Sequence, residues 1–163
     1  TGDILKVFYS GDILTMDFPS CKPEVRDQNK EKIDFALGVR SSSFLSCNYG
    51  IAVFDSEEVI TKVTPDFNRL MELKYDGIVV TAPGENVDFV SRFFAPKLGI
   101  LEDPVTGSAH CDLIPYWSNR LSKKDLVARQ LSKRGGELTC SYLGDRVLIG
   151  GEATTYLRQE LLI

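Results

Sequence analysis

Thirteen residues, GILEDPVTGSAHC from Gly99 to Cys111, place two carboxylates, a proline, a run of small residues and the chain's single histidine side by side. Pro104 has a fixed backbone angle and biases Asp103 toward an extended conformation, so the Asp103 carboxylate belongs to a rigid loop just before Gly107, Ser108 and Ala109. If those small residues open a helix, their free N–H groups and the positive end of the helix dipole form a site for a carboxylate anion, and glycine lets the ligand approach the backbone closely. An acid gripped by amides beside a side-chain carboxylate suits proton transfer at the neighbouring carbon: one part positions, the other transfers or orients the proton. The same residues also read as an ordinary capped helix start, with Asp103 or Thr106 as N-cap and TGSA as a tight entry. The local sequence leaves both readings open.

The neighbours of this stretch divide in the same way. His110, three residues after Gly107, can face a ligand or pack inside. Glu102 adjoins Asp103, but successive residues of an extended segment point to opposite sides, so the two carboxylates do not form an acid/base couple at one carbon. The planar fork of Arg92 in SRFFAP suits a carboxylate ligand, and suits a structural ion pair better. Arg134, Gly135 and Gly136 fall in a strand connection whose glycines provide positive backbone angles or line a ligand. A thiol at a helix start is reactive when its pKa is low, but Cys111 reads as buried. Cys21, Cys47, Cys111 and Cys140 form no C-x-x-C pair, one histidine cannot complete a zinc set, and all four read as free thiols.

These residues need a scaffold, and the pattern around them is α+β. DILKVFYSGDILTMDFP reads as a hairpin with Gly11 in the turn. DQNKEKIDFAL, from Asp27 to Leu37, reads as a helix with Ile33, Phe35, Ala36 and Leu37 toward the core and Gly38 as its stop. A second hairpin turns at Asn48 to Gly50. Two short helices follow, one begun by Ser56, the other with Thr64 as N-cap and Pro65 at the first helical position. DGIVVTAP is a buried strand and VDFVSRFFAP its neighbour. The chemistry-bearing helix runs from about Thr106 to Leu121, with Pro115 expected to kink it. The remainder, through EATTYLRQELLI, reads as strands. Strands in runs around one long helix, without a strict βαβ alternation, give α+β rather than a doubly wound sheet.

A 163-residue chain that is 43% hydrophobic can bury a real core. A net charge of −4 offers no field for phosphate backbones, so no nucleic-acid partner is expected. No apolar run approaches the roughly 20 residues of a bilayer span. No membrane partner is expected. Without a signal-peptide profile a cytoplasmic setting is the expectation. The first residue is Thr1, not Met, which reads as a processed or truncated product.

Taken together, DFVSRFFAPKLGILEDPVTGSAHCDLIPYW, QLSKRGGEL and VLIGGEA resemble the PhzF-like, or phenazine biosynthesis-like, isomerases of the diaminopimelate epimerase-like superfamily. The order RFFAP, EDPVTGSA, RGG is specific; any one alone is not. The resemblance implies one of two similar halves, each a mixed or antiparallel sheet wrapped around a central helix, with the site in the cleft between them. Residues 1–22 would be a hairpin remnant of the N-terminal half, 23–150 the C-terminal domain, and 151–163 a terminal strand returning toward the missing half. It implies Asp103 as the catalytic aspartate of the cleft and Gly107 and Ser108 as the residues that hold the substrate carboxylate; Thr106 and His110, beside them, are further candidate substrate-binding residues. It also implies proton transfer needing neither metal nor organic cofactor, on a small carboxylate-containing molecule. The family's N-terminal glutamate and its Gly-His-Ala/Pro-Thr motif have no counterpart here. Three outcomes stay open: a part that is inactive alone, a half completed in trans by a separate N-terminal half or a homodimer, and an anion-binding or interaction module without catalysis.

Overall fold

The computed structural model describes residues 5–157 and 159–160. Its strands are β1 Lys6–Ser10, β2 Ile13–Pro19, β3 Glu24–Val25, β4 Ser43–Ser46, β5 Gly50–Val53, β6 Ile78–Pro83, β7 Phe89–Ala95, β8 Ile100–Asp103, β9 Asp125–Gln130, β10 Gly136–Tyr142 and β11 Arg146–Glu152. The helices are α1 Lys30–Leu37, α2 Glu57–Thr61, α3 Phe67–Glu72 and α4 Gly107–Leu121. Among the described residues the strands form one open mixed sheet in the order β1-β2-β11-β10-β9-β7-β6-β5-β4-β3, with β8 on β7. The pairs β5–β6 and β7–β9 are parallel and the others antiparallel. The architecture is α+β.

Side-chain alternation divides the apolar residues between two cores. Leu45, Val53, Val79, Phe89, Phe93, Leu138 and Ile149, spread from β4 to β11, all belong to the cluster that contains Leu113, Ile114 and Trp117 of α4. One cluster that joins a single helix to residues of so many strands is what a sheet curled around that helix gives. The alternate residues, such as Ala52, Val80, Val90 and Phe94, pack with Ile33 and Leu37 of α1, Ile60 of α2 and Leu70 of α3. This period-two sorting is what a sheet covered on both faces requires.

The hairpin turn at Gly11 (φ +61°) and the left-handed stop at Gly38 (φ +72°) form as the sequence indicates. Phe35 does not: it is 66% exposed, with the Arg69 guanidinium 3.8 Å above its ring, because the eight-residue α1 turns only Ile33, Ala36 and Leu37 inward. The third helix begins later than Thr64 and Pro65 suggest. Asp66 caps it, accepting from the backbone N–H groups of Asn68 and Arg69 at 3.1 and 3.2 Å. Residues 153–157, 159 and 160 follow β11 without strand pairing, so of the strand expected over 151–163 only 151 and 152 form one among the described residues; 158 and 161–163 lie outside them.

Pro115 lies inside α4, yet the helix runs on to Leu121. Proline has no N–H for the carbonyl four residues back, here that of Cys111. The backbone N–H of Cys21 donates to that oxygen at 3.0 Å, so the group freed by Pro115 is satisfied by the segment after β2. Cys21 is also joined to Cys47 by a disulfide. This corrects the reading of four free thiols: 26 residues separate the two in sequence, and sequence spacing does not reveal that the fold brings their Cα atoms to 6.1 Å. Cys111 and Cys140 are free and buried.

Trp117 closes the centre of the wrapped core. It stacks on Phe89 with centroids 5.6 Å apart and donates from Nε1 to Thr81 Oγ1 at 3.0 Å, while that hydroxyl donates to Val90 O. Trp117→Ala is expected to lower unfolding free energy by about 3–5 kcal/mol in urea titrations, the range for aromatic truncation in a packed core.

Candidate active site

Three connections meet at the first turn of α4. The strand β8 pairs with β7, placing Asp103 opposite Phe93, and Pro104 carries the chain from there into the helix. Asp103 is half-buried, and its carboxylate accepts a hydrogen bond from Thr106 Oγ1. Thr106 is the N-cap residue in extended conformation, but its hydroxyl is engaged by Asp103 and does not cap the helix. The opening amides of a fifteen-residue helix are therefore left without their usual side-chain acceptor, which favours an anion there. Thr106 stands at the N-cap position that the sequence offers to it or to Asp103, but neither side chain caps the helix.

The group that holds this arrangement is Gln130, at the end of β9 and 1% exposed. Its Oε1 accepts from the Thr106 N–H at 2.9 Å, and its Nε2 donates to Asp103 O at 2.8 Å and to Thr106 Oγ1 at 3.1 Å. Ser132 donates to Pro104 O at 2.7 Å and accepts from the Gly135 N–H at 3.0 Å, tying the RGG connection to the same loop. Neither Gln130 nor Ser132 is prominent in the motif. The signal for Gln130 is present in DLVARQ, where Leu126 and Ala128 alternate inward and glutamine falls at the next inward position.

An open groove of about 810 Å³ lies against this turn. Gly107 lines it together with Val105, the exposed cation Arg134, Gly135 and Gly136, the glycines of β11, and Val7, Leu14 and Met16 of the first hairpin. A Cβ on Gly107 would have Met16 Cε at 3.8 Å as its nearest new neighbour, so the glycine leaves open backbone toward the groove. Arg134 adds positive charge to this wall, Glu137 and Glu152 line the same groove with negative charge, and neither Asp103 nor Ser108 is among its lining residues. Ser108 is exposed beside Gly107, and its Oγ is 3.0 Å from the Tyr49 hydroxyl.

The other motif residues go elsewhere. His110 is fully buried, with Nδ1 2.8 Å from Thr106 O and its ring 5.9 Å from that of Phe89. Its Nε2 has no hydrogen-bond partner among the described residues, and the ring packs the helix rather than opening on the groove. Glu102 points away from Asp103 and binds Arg92 bidentately at 2.7 and 3.1 Å, while Arg92 also donates to the carbonyls of Ile60 and Val63. The ion-pair reading of Arg92 holds. Burial pushes the Cys111 thiol up to about 11, so it is not an activated nucleophile.

Asp112 is a charged residue on the inner face of α4 that the motif does not mark. It is fully buried and accepts from Asn48 N at 3.0 Å, Tyr49 N at 3.1 Å and Asn48 Nδ2 at 2.6 Å. Tyr49 is thereby fixed at both ends, with its ring edge-on to Phe93 at 4.9 Å and its hydroxyl at Ser108.

Comparison with known proteins identifies the lineage. The model of the PhzC-PhzF family, described as phenazine biosynthesis-like protein, matches residues 13–159. The chain belongs to this family. It is 47% identical over 150 residues to an uncharacterized isomerase of Pseudomonas aeruginosa, covering 91% of this chain and 57% of that protein. It is 38% identical over 163 residues to an uncharacterized isomerase of Halalkalibacterium halodurans, covering 98% and 62%. The crystal structure of a PhzF family protein from Enterococcus faecalis superposes with a TM-score of 0.89 at 42% identity, covering 96% of this chain and 60% of that one. A putative phenazine biosynthesis PhzC/PhzF protein from Clostridium difficile gives 0.84 at 40% identity, with 98% and 61% covered. The PhzF-like chain thus spans about three-fifths of the length of these relatives.

Two buried groups on α4 titrate in opposite senses. Burial raises Asp112 to about 6, so stability is highest where the carboxyl is protonated and is lost as pH rises from about 4 through 6. Burial lowers His110 to about 4, so stability is lost as pH falls from about 6.5 through 4, where the unfolded chain takes up a proton that the folded one refuses. Asp112→Asn should steepen the fall of the urea midpoint on acidification from pH ~6.5 to ~4, and His110→Gln should reduce or reverse it. Unchanged slopes in both variants would show that neither group controls acid stability.

Proposed function

We propose that this chain is the C-terminal part of a PhzF-like isomerase that moves a proton at a carbon next to a carboxyl group, with little or no turnover on its own. The observation that carries the reading is the uncapped head of α4, where Gly107 lines the groove, while four residues earlier the Asp103 carboxylate is held by the Thr106 hydroxyl and Gln130 fixes the backbone of both residues. Gly107 and Ser108 would take the carboxylate of a small acid, aided by Arg134. Asp103 would orient the substrate or act as one acid/base, and Thr106, through its hydroxyl on Asp103, would set the direction of that carboxylate. The other acid/base would come from the portion of the relatives that this chain does not span. The scheme calls for no metal and no organic cofactor.

One feature favours completion by more protein. Val7, Phe8 and Tyr9 of β1 are 58%, 52% and 68% exposed, at the end of the sheet that also lines the groove. Exposed apolar residues grouped on one strand are suited to a covering surface, supplied by a family N-terminal half or by a second copy.

Solvent-deuterium incorporation into a panel of small carboxylic acids tests the reading, using this chain alone and combined with the N-terminal portion of the Enterococcus faecalis relative. Exchange is expected from the combined protein and to fall by about 100-fold or more in Asp103→Asn, within the range for loss of a positioned acid/base group. The unfolding midpoint of that variant should stay close to the parent. Absence of exchange from the combined protein, or full exchange in the variant, would overturn the proposal.

A further inference from the structure

The Cys21–Cys47 disulfide is attached at both ends to residues that reach the head of α4. At one end, the backbone N–H of Cys21 occupies the Cys111 carbonyl that Pro115 leaves free. At the other, Cys47 adjoins Asn48 and Tyr49, whose backbone N–H groups donate to the buried Asp112. The Cys47 N–H donates to Tyr49 O at 3.2 Å, which closes the turn between β4 and β5 on itself. The Tyr49 hydroxyl then meets Ser108 Oγ at 3.0 Å. A covalent bond, a buried carboxylate and a tyrosine thus form one continuous path from an exposed sulfur to Ser108 in the first turn of α4.

Cys47 is exposed and Cys21 half-buried, so a small thiol can reach the bond. Cys111 and Cys140 are buried, and burial pushes their thiols up to about 11 and about 12, which keeps them out of exchange.

We propose that Cys21 and Cys47 form a reversible thiol-exchange site for low-molecular-weight thiols, and that its state sets how firmly Tyr49 is held against Ser108. The thiolate of one small thiol attacks Cys47 Sγ, breaking the disulfide and releasing Cys21 as a thiolate that takes a proton. A second small thiol attacks the resulting mixed disulfide, leaving Cys47 as a thiol. The protein disulfide is reduced to two thiols while two small thiols are oxidised to one small disulfide. In the reduced state the turn is held to α4 by hydrogen bonds alone, those to Asp112 and that between Tyr49 and Ser108. The proposal concerns the turn and the helix head and does not depend on the reaction proposed above.

Equilibration of the chain in buffers of reduced and oxidised glutathione, followed by differential alkylation and peptide mass spectrometry, reads the site directly. Cys21 and Cys47 should interconvert together, with Cys111 and Cys140 unlabelled until the protein unfolds. Amide hydrogen exchange should then rise about tenfold or more at residues 47–50 on reduction, as local opening becomes easier, with β9 to β11 unchanged. Cys47→Ser, a change at an exposed position, should show the reduced pattern in both buffers. Cys21 and Cys47 remaining alkylatable in the oxidising buffer would overturn the site. Unchanged exchange at residues 47–50 would overturn its link to Tyr49.

Discussion

Gln130 is inside the sheet, and a buried amide needs partners for both its oxygen and its nitrogen. It finds them all in one loop: the N–H and hydroxyl of Thr106 and the carbonyl of Asp103. Because Thr106 is held from behind, its hydroxyl goes to Asp103 instead of folding over the helix end. A single buried side chain therefore decides two things at once. Through Thr106 it sets the direction of the Asp103 carboxylate, and it leaves the head of α4 uncapped where Gly107 lines the groove. Loss of that amide would strand a donor and an acceptor as well as release the loop, so the geometry is reinforced by the cost of unsatisfied buried groups.

The scaffold concentrates its polar exceptions on the same helix. The buried face of α4 shares one apolar cluster with residues of strands from β4 to β11, which secures its position but not the orientation of its first turn. His110, Asp112 and Pro115 each break the apolar pattern and each is answered by a specific partner: Thr106 O for His110, the 48–49 turn for Asp112, and Cys21 N for the carbonyl that Pro115 frees. The proline expected to kink the helix instead supplies an attachment point for a neighbouring segment. The groove then takes its remaining wall from the first hairpin and β11, whose pairing fixes Met16 near Gly107.

Much of this was legible in the sequence wherever the cause is local. Alternation gave most of the strands, though not β3 or β8, Gly11 and Gly38 gave the turns, and the EDPVTGSA run gave the helix head. The opposite orientation of Glu102 and Asp103 also follows from strand alternation alone. What escaped local reading depends on contacts between distant segments. The Cys21–Cys47 bond, the grip of Asp112 on Asn48 and Tyr49, and the Ser132 contact to Pro104 join positions 26 or more apart. Phe35 was misplaced because a short helix next to Arg69 can leave an aromatic ring outside under a cation. His110 was ambiguous because periodicity near a helix start does not distinguish the groove side from the core side.

The central claim is that the first amides of α4 form an anion site beside Asp103. Residue-resolved amide chemical shifts during titration with a small carboxylate such as lactate test it most directly. Saturable movement is predicted for Gly107 and Ser108, with smaller movement at Thr106 and none at the far end of the helix. Shifts that scatter over surface cations and leave Gly107 and Ser108 unmoved would contradict the account.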